Sequence, residues 1–160
     1  LLRAMQQVGE TDNDLYFVFT AQEEVGLRGA GAAAFAVEPD VAIAVDVTDT
    51  GDLPERKTPM AVDMGKGPAI KVMDRSVICT PAVCAALEQA AHDCGIATQR
   101  EILQCGGTDT AALQKARAGV QAGAVSIPTR YIHSPSEMCA VSDVEDAAKL
   151  LARFAVTFGA

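Results

Sequence analysis

Short runs of consecutive apolar residues alternate along this chain with segments whose apolar positions recur at helical spacing, a pattern of α/β architecture. Leu15-Tyr16-Phe17-Val18-Phe19-Thr20 and Val41-Ala42-Ile43-Ala44-Val45-Asp46-Val47 read as strands buried on both faces. Between them, Gly29 to Val37 is Ala-rich and helical, and Pro39 closes it. Thr50 to Gly67, rich in Gly, Pro and charge, reads as a loop, and Ala69 to Met73 as a short strand. Thr80 caps and Pro81 opens a helix that runs to about Cys94 and stops at Gly95. Thr98 to Leu103 reads as a strand. Gly106-Gly107 is a turn, with Thr108 or Asp109 capping a helix to about Ala116. Gly119 to Ile127 is a further strand, and Thr129 to Pro135 a loop. Ser142 starts the last helix, with Glu145 three residues on as a capping box. Val144, Ala147, Ala148, Leu151, Phe154, Ala155 and Phe158 give that helix one apolar face.

Strands this continuously apolar imply helices on both faces of a largely parallel sheet, with the ligand site beyond the strands' carboxyl ends. The chain has 160 residues, which suits one domain. It carries no internal repeat, and no apolar run reaches the roughly 18 residues of a membrane span. With no Trp and few aromatics, the core must come from Ala, Val, Ile and Leu. The net charge of −8 speaks against nucleic-acid and membrane-surface partners, which need clustered Lys and Arg. Cys79, Cys84, Cys94, Cys105 and Cys139 are odd in number and form no CxxC pair. They read as reduced, mostly buried thiols of a cytoplasmic protein, not as a disulfide framework or structural zinc site.

Ionisable residues fall where the strands should end. Glu23-Glu24 follows the first run, Asp46 closes the second, and His133 follows the strand ending near Ile127. Two carboxylates and an imidazole converging there would suit Zn²⁺, Co²⁺ or Mn²⁺. Each also has a plainer reading: Glu23-Glu24 as the acidic opening of a helix, Asp46 as a turn cap, His133 as a surface residue. Adjacent carboxylates suit hydrolysis, one as a metal ligand and its neighbour as general base. A glycosidase needs two carboxyl groups about 5 to 9.5 Å apart across a bond, which sequence neighbours do not easily provide. No G-x-S-x-G elbow is present, nothing pairs Cys105 with His133, and Gly65-Lys66-Gly67-Pro68 lacks phosphate-loop spacing.

Four segments carry a resemblance. Phe19-Thr20-Ala21-Gln22-Glu23-Glu24-Val25-Gly26-Leu27-Arg28-Gly29-Ala30 resembles the central motif of the glutamyl and tetrahedral aminopeptidases. Ala44 to Thr48, Gly106 to Asp109 and Ser126 to Pro135 agree in order and spacing. The resemblance implies a zinc-exopeptidase-like, three-layer α/β/α sandwich with a mostly parallel central sheet. It implies an aminopeptidase that removes N-terminal residues from peptides with two divalent ions, usually zinc or cobalt. Glu23 would then be the general base, Glu24 and His133 would hold one ion, and Asp46 the other. Glu137 could support His133. Asp109, explained as well by capping its helix, is given no catalytic role. Relatives form dimers that build hollow dodecamers, so a homo-oligomer is expected.

The family pattern also needs an earlier His and a metal-bridging Asp, with a small β domain inserted between them. None of these is found in residues 1–160, so the chain is expected to be part of a catalytic domain, truncated at its N-terminus and inactive alone. A related metal-dependent amidohydrolase or deacylase, and a non-catalytic subunit with a vestigial metal site, stand as the alternatives.

Overall fold

The computed structural model describes residues 1–54 and 59–159. In chain order the elements are α1 (Leu2–Met5), α2 (Arg28–Val37), β1 (Val41–Asp49), β2 (Ala69–Met73), α3 (Pro81–Asp93), β3 (Gln99–Ile102), α4 (Thr110–Gln114), β4 (Gln121–Arg130), β5 (Met138–Cys139) and α5 (Val141–Thr157). They form one sheet in the order β1-β4-β2-β3, with β5 paired to the end of β4. β1 and β4 run parallel from Val41 beside Gln121 to Asp49 beside Thr129. β2 and β3 are also parallel, and the two halves join through a short antiparallel contact, Ala69 with Ser126 and Ile70 with Val125. The sheet is therefore mostly parallel, as expected.

Helices cover both faces. On one, α3 and α5 bury Val83, Leu87, Leu150 and Phe154 against Ile70 and Val125. Each such side chain is worth about 1.5–3 kcal/mol when withdrawn from water. Gly123 permits this packing, since a Cβ there would lie 2.7 Å from Val83 Cγ1. On the other face, Ala34 of α2 packs with Ala116, Val120, Ala42 and Leu113. α3 starts at Pro81 and is followed by Gly95 at φ +65°, as its sequence signals require. The Thr80 hydroxyl does not cap it; it accepts the Ala122 N–H at 3.1 Å and fastens the helix start to β4.

Several expectations are corrected. Leu15–Thr20 is no strand, and Tyr16 and Phe19 are 66% and 65% exposed. β1 continues three residues past Asp46, and β4 runs on to Arg130, through the start of the expected loop. β5 was unforeseen. The Ser142–Glu145 capping box does not form: α5 begins after Ala140 with no side-chain cap, and Glu145 binds Arg3 at 3.0 Å instead. Residues 55–58 of the expected Thr50–Gly67 loop lie outside the described residues. The rest of that loop is tied down at Gly65 and Gly67, whose N–H groups donate to the buried Asp143 carboxylate at 2.7 and 3.0 Å. No helix among the described residues is long and apolar enough to cross a membrane.

Candidate active site

Parallel pairing puts the carboxyl ends of β1 and β4 at the same edge of the sheet, so Asp46 and the loop holding His133 reach one region. The third contributor, Ala21 to Gly29, folds back on itself in front of α2. Gly26 and Leu27 N–H groups donate to Glu23 O, Arg28 N–H to Gln22 O and Gly29 N–H to Ala21 O. The last contact needs glycine: a Cβ on Gly29 would lie 2.6 Å from Ala21 O. Non-glycine residues with positive φ flank both site segments, Gln22 (+61°) and Leu27 (+57°) around Glu23-Glu24, Tyr131 (+58°) and His133 (+60°) around the histidine. Such conformations cost about 1–3 kcal/mol each and persist only where surroundings enforce them.

Glu24 Oε1 lies 3.5 Å from His133 Nδ1, both side chains being largely exposed. The His133 N–H donates to Glu137 Oε1 at 2.6 Å, so Glu137 holds the backbone that presents the imidazole. Glu23 has its carboxyl pushed above the usual range, first by burial and then by the charges of Asp46, Glu24 and Asp109, with His133 opposing. Asp46 is also raised, mainly by burial, while the Val47 N–H, donating to Oδ1 at 2.7 Å, and the Lys71 charge pull it back. Glu23, Glu24, Asp46, Asp109 and His133 therefore share one electrostatic neighbourhood. Among the described residues, however, no three His, Cys, Asp or Glu side chains gather closely enough to hold a metal ion.

Two features were missed from sequence. Asp109 stands at the N-cap position of α4 as expected, but its side chain makes no cap bond; its Oδ2 accepts the Thr20 hydroxyl at 2.7 Å, tying the segment before Glu23 to the Gly106-Gly107 loop. Its Oδ1 is buried with no hydrogen-bond partner among the described residues. Within electrostatic reach of Asp46 lies an enclosed network. Lys71 Nζ is 2.5 Å from Glu101 Oε1 and 3.5 Å from Asp74 Oδ2, and all three side chains are fully buried. Thr48 Oγ1 donates to Glu101 at 2.8 Å, and Thr108 Oγ1 to Asp74 at 3.5 Å. The sequence signal for Asp109 was its place in the Gly106–Asp109 motif; for Lys71 there was none beyond a Lys inside an apolar strand.

The apolar groove of about 250 Å³ lined by Leu1, Leu2, Phe19, Val45, Ile127 and Leu151 lies against α5 and includes none of Glu23, Glu24, Asp46 or His133. Two basic side chains are each paired with a carboxylate. Arg130 makes a two-pronged pair with Asp52, and Lys66 pairs with Asp63.

The donor types suit a borderline divalent ion. Ligands about 2 Å from a tetrahedral ion stand about 3.3 Å apart, close to the Glu24–His133 separation of 3.5 Å. That pair fits one ion as a half-set; Asp46 stands apart as a single donor.

Comparison with known proteins shows what the chain is similar to. A candidate aminopeptidase of Acetivibrio thermocellus is 54% identical over 151 residues, 94% of this chain and 46% of that protein. An aminopeptidase structure from the archaeon Desulfurococcus kamchatkensis superposes with a TM-score of 0.93 at 38% identity, covering 98% of this chain and 45% of that one. The Pyrococcus horikoshii TET1 peptidase, which can assemble into a tetrahedron or a large octahedral shell, matches at TM-score 0.75 and 34% identity over 88% of this chain and 40% of its own. The chain spans about half the length of the curated relatives it matches. The profile of the M42 glutamyl aminopeptidases matches residues 1–150, and the chain belongs to that family.

Proposed function

We propose that the whole protein is a metal-dependent aminopeptidase, that these residues form part of its catalytic domain, and that the remaining ligands come from chain outside them. The observation that carries this is the Glu24–His133 contact beside Glu23, at the shared edge of β1 and β4. Glu24 and His133 would hold one divalent ion and Asp46 a second, with zinc, cobalt and manganese all suiting such donors. When bound, the ions supply Lewis-acid stabilisation and acidify water. The protein's own residues do the rest. Glu23, its carboxyl raised by burial and by neighbouring carboxylates, is suited to take a proton at neutral pH and return it to the leaving amine. Asp109, through Thr20, fixes the segment that carries Glu23. Peptides are the substrates on this reading, and the shell-forming relative supports a homo-oligomer.

Zinc titration of the full-length protein by calorimetry tests the ligand assignment. Glu24→Ala and His133→Ala should each remove a binding event, and Glu23→Gln should keep zinc while lowering kcat by about a hundredfold or more. Wild-type zinc binding by both ligand variants would overturn the reading.

A further inference from the structure

The start of α3 reads Cys79-Thr80-Pro81-Ala82-Val83-Cys84, with Thr80 as the residue before the helix. Cys79 therefore precedes the cap and Cys84 is the fourth helical residue. Side chains at these two positions fold together across a helix start, ordinarily as an apolar pair. Here both carry sulfur. The Cys84 N–H donates to Thr80 O at 3.1 Å and the Cys79 N–H to Val72 O at 3.0 Å, fixing both backbones. The Cys84 side chain packs against the buried cluster that contains Cys79, and its Sγ donates to Lys71 O at 3.4 Å, next to the Val72 carbonyl that binds Cys79. Cys79 is buried with Val77 and Ala111, while Cys84 packs on that cluster and stays partly open to solvent. Cys79 is held as a thiol by its bond to Cys84 and by burial. The same bond lowers the Cys84 thiol to about 7, against the opposing effect of burial. An accessible thiolate beside a resolving thiol is the arrangement of redox-sensitive cysteines.

We propose that Cys79 and Cys84 form a redox-sensitive dithiol that hydrogen peroxide converts to an intramolecular disulfide. The Cys84 sulfur attacks the peroxide: an S–O bond forms, the O–O bond breaks, and hydroxide leaves to become water. The Cys79 sulfur then attacks the Cys84 sulfur: the S–S bond forms, the S–O bond breaks, and the departing hydroxide takes the Cys79 proton as a second water. Two electrons pass from the thiol pair to one peroxide. Closure removes the Cys84 thiol from the Lys71 carbonyl of β2, 3.4 Å away.

The test treats the reduced full-length protein with one equivalent of hydrogen peroxide, alkylates with iodoacetamide and maps the cysteines by mass spectrometry. Cys79 and Cys84 should lose alkylation together, faster than Cys94, and regain it with dithiothreitol. The rate should rise roughly tenfold between pH 6 and 8 as Cys84 ionises. Cys79→Ala should leave Cys84 as a sulfenic acid trapped by dimedone; should that variant not fold, the wild-type map decides alone. Dimedone-labelled Cys84 beside an alkylated Cys79 in the wild type, or oxidation of Cys84 no faster than of Cys94, would overturn the proposal.

Discussion

Two charged clusters lie within electrostatic reach of Asp46, and they share almost no physical property. Lys71, Glu101 and Asp74 are enclosed, and Asp74 Oδ1 also accepts the Ser76 and Val77 N–H groups. Glu24 and His133, in contrast, are 74% and 67% exposed in their side chains and touch at 3.5 Å. The first cluster commits its charges to holding β2, β3 and the loop before α4 together. The second leaves its donor atoms available. Each cluster sets a carboxylate beside a basic side chain, so burial and partners, not residue type, separate a structural network from a site.

The sharpest way to break this comparison is to remove the enclosed cation. Lys71→Ala leaves Glu101 and Asp74 without their counter-charge in a dry environment, and we expect a loss of about 3–5 kcal/mol in urea unfolding. Lys71→Met combined with Glu101→Leu should recover much of that loss, because apolar groups of similar volume tolerate enclosure. A Lys71→Ala variant within about 1 kcal/mol of wild type would mean that the cluster is not what holds β2 and β3 to the loop.

That cluster also marks the limit of what could be read from sequence. The helical periodicity of α3 and α5 and the apolar runs of β1 and β2 were legible because each element's own residues decide it. Leu15–Thr20 was misread because its β-favouring residues become a strand only beside a neighbour with free ladder groups, and none of the described strands pairs with it. The capping box failed because Glu145 is claimed by Arg3, a partner 142 residues away. Glu23, Glu24, Asp46 and His133 stood out as chemistry-bearing residues at element ends. Lys71, inside Ala69-Ile70-Lys71-Val72-Met73, looked like one polar position of a half-buried strand, and only the arrival of Glu101 on β3 makes it interior.

Arg130 and Asp52 form an intermediate case, part-buried and two-pronged, at 3.1 and 2.6 Å. The Arg130 hydrogen bond lowers the Asp52 carboxyl to about 2. A carboxyl depressed in the folded state contributes stability that is complete above its ordinary value near 4 and is lost as pH falls through about 2. We expect this part of the acid destabilisation, on the order of 1 kcal/mol after allowing for solvent screening, to vanish in Asp52→Asn. Urea midpoints measured across about pH 5 to 2 would check it; an unchanged acid slope in the variant would place the pair with the exposed contacts.

The smallest effect on stability is the most informative about function. Glu24→Ala and His133→Ala should each move the unfolding free energy of metal-free protein by less than about 0.5 kcal/mol, since an exposed pair gains little over its hydration. The same substitutions should remove zinc binding. A residue cheap to lose for folding and costly to lose for a ligand belongs to a site, and Lys71 should show the reverse. Glu137 refines the contrast. Its carboxylate holds the His133 N–H at 2.6 Å, in a backbone conformation that histidine adopts only under constraint. Glu137→Ala should therefore leave stability nearly unchanged and weaken zinc binding by about tenfold, less than loss of the ligand itself. Equal zinc affinity in Glu137→Ala and wild type would show that the imidazole reaches its place without that anchor.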